Sequence, residues 1–270
     1  MNFSVLMSLY HREQPNYFND AMRSLFEQTV KPNEVVIVHD GPLNKGLYDV
    51  IDAWSLKLNI VQVVLPENRG LGIALNAGLK ACKYDLIARV DTDDINERNR
   101  FELQLLEFEN SINLAVCGSN IKEVNCSDLS FISNRNVPES HCEIMRTCIK
   151  RNPFNHMTVM FKKEVVQAVG NYMDMTSMED WYLWIRILAK NYECTNIQKD
   201  LVKARTGLEM MQRRSGFKYI GYEFSLTRKK MALFPERKLL SIRYFFLRSI
   251  PRLLPKPVLA KVYLLTRREV

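Results

Sequence analysis

A chain of 270 residues is long enough for one large α/β domain and a smaller appendage. With 47% hydrophobic and 25% charged residues it has ordinary globular composition, which excludes a disordered, collagenous or low-complexity chain. The formal charge of +8 is local: residues 237–270 hold nine Lys/Arg and one acid, Glu269, leaving 29 basic and 29 acidic residues before them, so the pattern argues against nucleic acid and for a local anionic surface.

The first third alternates strand and helix signals. Residues 3–9 predict a strand, and 17–28 a helix with Phe18, Met22, Leu25 and Phe26 on one face. The β-branched run 34–38 predicts a buried strand closed by Asp40-Gly41-Pro42. Residues 47–58 predict a helix, 60–65 a strand, 71–82 a helix with Leu71, Leu75 and Leu79 stacked, and 85–90 a further strand. Strands alternating with helices predict a mostly parallel, doubly wound sheet, whose ligands bind beyond the carboxyl ends of the strands. Further on, 99–109 predicts a helix, 114–119 a strand, 139–150 a helix, 157–161 a short strand and 180–190 an aromatic-rich helix. Beyond Leu208 the pattern is helical with breaks at Pro235, Pro251, Pro255 and Pro257. No apolar run reaches the roughly 20 residues that cross a bilayer, and the first thirteen residues lack the basic lead of a signal peptide. The six cysteines form no C-x-x-C pair, so a reducing compartment is expected, with Cys82 and Cys117 as buried small hydrophobes.

Five polar segments stand where ligands are expected. Asp91-Thr92-Asp93-Asp94 follows a strand; three carboxylates in four residues repel one another unless a cation compensates, and hard oxygen ligands at this spacing suit Mg²⁺ or Mn²⁺. The competing reading is a solvated acidic turn that caps the next helix. His39-Asp40-Gly41-Pro42 offers an acceptor for a base or ribose, or is simply a β-turn. Asn68-Arg69-Gly70-Leu71-Gly72 opens a helix, which makes either an anion site or a plain helix start, without the ending of a Walker loop. Glu179-Asp180-Trp181 opens another helix, where the acids provide a general base or only complement the helix dipole. Arg205 and Gln212-Arg213-Arg214-Ser215-Gly216 read as a loop that closes over a diphosphate, or as a solvated helix face.

Taken in order, the Asp-Gly turn, the Asn-Arg-Gly helix, Asp-x-Asp-Asp, Arg100-x-x-x-Gln104 and Glu-Asp-Trp resemble glycosyltransferase family 2, the inverting enzymes with a GT-A fold. The resemblance spans residues 3–216, and Arg213-Arg214-Ser215-Gly216 is similar to a stretch of members that build O-antigen and exopolysaccharide. It implies a GT-A catalytic domain at 1–207, with its nucleotide half at 1–95 and its acceptor half at 96–207, and a helical basic extension at 208–270. It further implies a UDP-sugar donor held by Tyr10, Asp40, Arg69, Asp91, Arg213 and Arg214, and Mn²⁺ or Mg²⁺ held by Asp91 and Asp93. Asp180, with Glu179 beside it, would be the base, and Asn155, His156 and Trp181 would line the acceptor side. The first strand departs from the family by ending in Ser8-Leu9-Tyr10-His11, and His39 replaces the commoner Asp before Asp40.

The tail holds two amphipathic candidates. Ile242, Phe245, Phe246, Ser249 and Ile250 share one side in the first; Val258, Val262 and Leu265, with Tyr263, align in the second. Such faces suit either an anionic membrane surface or packing on the catalytic domain. The first option, with a lipid-linked saccharide acceptor, implies a cytoplasmic enzyme at the inner face of the plasma membrane. A sugar nucleotidyltransferase and a non-catalytic nucleotide-sugar-binding module are the rivals; the first normally carries a Gly-rich basic loop after its first strand, where this chain has Tyr10-His11-Arg12-Glu13. A nicotinamide dehydrogenase lacks support without its glycine fingerprint.

Overall fold

The computed structural model describes residues 1–206 and 216–253. Strands β1 (Phe3–Leu9), β2 (Glu34–His39), β3 (Ile60–Val64) and β4 (Leu86–Arg89) alternate with helices α1 (Pro15–Phe26), α2 (Lys45–Ser55) and α3 (Leu71–Ala81). Local chemistry sets these boundaries. Pro15 opens α1 where its missing N–H is harmless, and the Asn44 side chain caps α2 by accepting from the Leu47 N–H.

The second half contains β5 (Ile95–Asn96), α4 (Arg100–Asn110), β6 (Leu114–Asn125), β7 (Phe131–Arg135), α5 (His141–Thr147), β8 (Met160–Lys162), α6 (Lys163–Ala168), α7 (Glu179–Ala189) and β9 (Glu193–Thr206). Helices α8 (Phe217–Leu233) and α9 (Lys238–Ser249) follow.

One nine-stranded sheet runs β3-β2-β1-β4-β8-β6-β9-β5, with β7 beside β6. The expected parallel register holds for β1 to β4 and for β6 with β9. Beyond β4 the sheet is mixed, because β8 lies antiparallel to both β4 and β6, and β5 and β7 add antiparallel edges.

Side chains alternate across the sheet and so divide the core. Val5, Met7, Val35, Ile37, Leu86 and Ala88 face α1, α2 and α4. Leu6, Val36, Val38 and Ile87 face α3, α5, α6 and α7. Helix α7 is buried all round from Trp181 to Leu188, which makes it a core helix rather than an amphipathic surface one.

Candidate active site

The alternation that divides the core also aims the polar residues at the strand ends. His39 follows Val35 and Ile37 onto the α2 side, where it is buried edge-on against Tyr48 and burial lowers its pKa. Asp40 falls on the α3 side. Its carboxylate accepts from the backbone N–H of Arg69 at 2.7 Å and of Gly70 at 3.1 Å. Those two N–H groups, expected to receive a ligand anion, are therefore taken by a protein carboxylate that latches the start of α3 to the end of β2. Gly41, at φ +86°, completes the latch, since a Cβ there would lie 2.7 Å from the Asn68 nitrogen. Arg69 and Tyr10 are exposed at the rim.

After β4, Asp91, Asp93 and Asp94 bring one carboxylate oxygen each within 4.8 Å of one another. Burial, then Asp91 and Glu13, push Asp93 up to about 7. Burial, then its two acidic neighbours, raise Asp94 well above the ordinary carboxylate range. Clustered, partly desolvated carboxylates of this kind fit a hard divalent cation. The loop is held from beneath. Thr92 donates to Glu13 at 2.9 Å, and Asp94 accepts from the Arg205 N–H at 2.9 Å. The Arg205 side chain bonds the Asp93 carbonyl and Asp20, and stacks over Tyr17. Arg205 is thus a buried clamp on the acidic loop, a correction to its reading as part of a loop over a diphosphate.

Arg89, next to last in the apolar run before this loop, pairs with Asp91 while almost fully buried. It follows Ile87 onto the α3/α7 face. There His156 Nε2 lies 2.9 Å from the Tyr172 hydroxyl, and burial, then Arg89, holds the imidazole well below its ordinary pKa and therefore neutral. Burial raises the Tyr172 phenol; Arg89 opposes the shift, and Asp180 and Asp91 add to it. The start of α7 joins this wall through α3, since Glu179 lies against Gly72 and Asn76 holds the Tyr172 backbone.

At that start, Asp180 accepts from the Asn152 amide at 2.6 Å and from the Trp181 N–H at 2.7 Å. Burial raises Glu179, which lies against α3 at Gly72. Asn76 of α3 exchanges two hydrogen bonds with the Tyr172 backbone and ties this wall together.

Comparison with known proteins gives the family and the fold. The profile of Glycosyl transferase family 2 matches residues 4–170. The chain belongs to this family. It is 37% identical over 261 residues to the amylovoran biosynthesis glycosyltransferase AmsE of Erwinia amylovora, covering 97% of each chain. It is 40% identical over 219 residues to the UDP-Gal:alpha-D-GlcNAc-diphosphoundecaprenol beta-1,3-galactosyltransferase of Escherichia coli, covering 80% of this chain and 78% of that one. Among solved structures, S. aureus TarS 1-349 in complex with UDP-GlcNAc matches 92% of this chain and 74% of its own, with a TM-score of 0.71 at 19% identity, which supports the GT-A fold. The chain is thus a glycosyltransferase similar to those of bacterial exopolysaccharide and O-antigen synthesis.

Within this family 2 chain the remaining sequence-predicted residues have structural roles. Asn155, expected on the acceptor side, is fully buried and donates to the carbonyls of Ser119 and Arg135. Trp181, expected beside it, is core: its Nε1 donates to the Cys148 carbonyl, and Lys230 and Arg248 cover its ring. Arg100 and Gln104 are buried braces. Arg100 bonds Asn96, Gln104 and the Arg89 carbonyl, and Gln104 bonds the carbonyls of Cys117 and Thr158. Arg213 and Arg214 lie outside the described residues. The sequence assigned no role of their own to Arg89, Asn152 and Tyr172. Arg89 carried a signal, a lone charge inside an apolar strand; Asn152 stands three residues before the Asn155-His156 pair, and Tyr172 sits in a loop.

Proposed function

We propose that this family 2 chain transfers a hexose or N-acetylhexosamine from a UDP-sugar to a hydroxyl of a saccharide carried on a lipid diphosphate, with inversion, at the cytoplasmic face of the membrane. The observation that carries the reading is the carboxylate cluster after β4, in a chain of this family: Asp91, Asp93 and Asp94 bring one oxygen each within 4.8 Å of one another. A diphosphate-holding acid group, with a fixed carboxylate at Asp180 as base, suits a direct displacement, in which an acceptor hydroxyl loses its proton as the leaving group departs. The printed name of the E. coli relative, which cites UDP-Gal and a diphosphoundecaprenol acceptor, supports the donor and acceptor classes.

In this reading Asp180 takes the hydroxyl proton. The Asn152 amide and the Trp181 N–H fix its carboxylate, so its free lone pairs point in one direction before the acceptor arrives. Asp91 and Asp93, with Asp94 behind them, would hold Mn²⁺ or Mg²⁺, which supplies positive charge against the diphosphate that leaves. Tyr10, Asp40 and Arg69 border the uridine side. Neutral His156, paired with Tyr172, offers a hydrogen bond without charge to a sugar hydroxyl.

The test is a screen of UDP-sugars against a synthetic GlcNAc-diphosphate-lipid, with and without Mn²⁺. Release of free UDP with a lengthened lipid-linked saccharide is expected, and Asp180→Asn should abolish it while UDP still binds. Pyrophosphate as the product, or normal turnover by Asp180→Asn, would refute the reading.

A further inference from the structure

The two C-terminal helices are wired to the residues that orient Asp180. Asn152, the side-chain donor to Asp180, sits on the short segment after α5. Two carbonyls of that segment are held from outside it: Cys148 accepts from Trp181 Nε1 at 2.8 Å, and Ile149 accepts from Lys230 Nζ of α8 at 3.0 Å. The same Nζ stands 3.4 Å from the centre of the Trp181 ring, the residue directly after Asp180. Lys230 therefore touches both chain segments that donate to the Asp180 carboxylate. It is 3% exposed, and burial followed by Arg248 lowers its pKa well below the ordinary value. An N–H over a π face and an N–H to a carbonyl persist whether or not the amine carries its extra proton.

Behind Lys230, the buried Glu223 of α8 accepts from Arg248 of α9 at 2.6 and 3.0 Å and from Arg252 at 2.8 Å. Arg248 covers the Trp181 ring at 4.6 Å. A buried polar array of this kind is retained at a cost in desolvation, and what it gains here is one fixed indole and one fixed loop.

We propose that Lys230 is a positioning residue for Asp180, acting through the Trp181 indole and the Ile149–Asn152 segment, with the Glu223–Arg248–Arg252 cluster as its backing. The inference rests on the proposed role of Asp180 as the base. It makes the C-terminal helices part of the catalytic machinery rather than an appendage.

The experiment compares Lys230→Met, Asn152→Ala, the double variant and Asp180→Asn in the full chain. Met keeps the apolar stem over Trp181 and removes both N–H contacts. Lys230→Met is expected to lower kcat about 10- to 100-fold, with donor KM and Mn²⁺-dependent UDP affinity unchanged within about twofold, because only the base is displaced. The double variant should lose no more than the worse single, since both substitutions act through one hydrogen bond. Wild-type kcat in Lys230→Met, multiplied losses in the double variant, or a parallel fall in UDP affinity would each overturn the proposal. Full turnover by Asp180→Asn would remove the base reading and the brace with it; an inactive Asp180→Asn beside a normal Lys230→Met removes the brace alone.

Discussion

Asp93 gives the cleft a pH signature. Its folded-state pKa is raised from 3.8 to about 7 by burial and by Asp91 and Glu13. Between those values the folded chain binds more protons than the unfolded one, so its stability falls as pH rises through that window. The melting temperature of the metal-free protein should therefore decline from about pH 5 to pH 8. Asp93→Asn should flatten the decline, and Mn²⁺ should raise the melting temperature more at pH 8 than at pH 5.5. Calorimetry at the two pH values checks both; equal slopes in wild type and Asp93→Asn would show that another group dominates. The importance of this residue was legible before the structure because three acids in four residues at a strand end are costly without a partner. The same reasoning could not place Asn155 and Trp181. A polar or aromatic residue near a motif looks the same in sequence whether it faces the cleft or the core, and here both face inward.

At the scale of elements, the latch between β2 and α3 fixes one side of the proposed uridine site and makes a paired prediction. Gly41 and Gly70 both have positive φ, +86° and +89°, but a Cβ at Gly41 meets the Asn68 backbone while one at Gly70 meets nothing within 4 Å. Gly70→Ala should cost only conformational strain, about 1–3 kcal/mol at φ 89° and ψ 160°, whereas Gly41→Ala adds a backbone clash to its strain and should cost more and weaken UDP binding as well. Denaturant titrations and UDP calorimetry of the two variants separate clash from strain. The braces behind the sheet behave differently. Gln104→Leu strands the carbonyls of Cys117 and Thr158 and leaves Arg100 Nε unpaired, so a loss of about 2–5 kcal/mol is expected. Most elements of the first half were legible to within two or three residues, because β1, β2 and β4 are apolar runs buried on both faces. Strand β9 was not. Gln198-Lys199-Asp200 interrupts its alternation, and its order comes from parallel pairing with β6, a long-range contact that local pattern does not encode. For the same reason β6 runs to Asn125, past the six residues its apolar pattern marks. The polar β7, the two-residue β5 and the six-residue α6 are too short to show a period.

At the scale of the molecule, α9 packs one face on the catalytic body and α8 and leaves the other exposed. The inner face of α9 packs Leu240 and Tyr244 on the core and Phe245 on Phe224 of α8, with Arg248 bonded to Glu223 and with Ser241 and Ser249 buried among them. Its outer face carries Leu239 at 84% exposure, with Ile242, Phe246, Leu247 and Ile250 also exposed and with Arg243 and Lys238 among them. Apolar residues thus stand on both faces of α9, and those on the outer face form an exposed apolar patch. On α8, Phe217 and Phe224 are exposed as well. No helix among the described residues is long and apolar enough to cross a membrane, and the second amphipathic candidate, Val258, Val262, Tyr263 and Leu265, lies outside them. Against the proposed anionic lipid surface, the apolar side chains of this outer face would enter the headgroup boundary, and each neighbouring Lys or Arg would add about 1 kcal/mol. Truncation at Glu236 would be a poor test, because it strips Arg248 and Arg252 from the buried Glu223 and so costs about 3–5 kcal/mol of folding stability. Substitution on the outer face alone avoids this. Ile242→Glu with Phe246→Glu should reduce flotation with vesicles containing phosphatidylglycerol at least about tenfold, since it removes two insertions and adds two repelled charges. UDP affinity and melting temperature should stay at wild-type values, because neither side chain touches Glu223 or Trp181. High salt should weaken wild-type flotation in the same direction. Undiminished flotation of the double variant would show that this face of α9 does not meet the lipid.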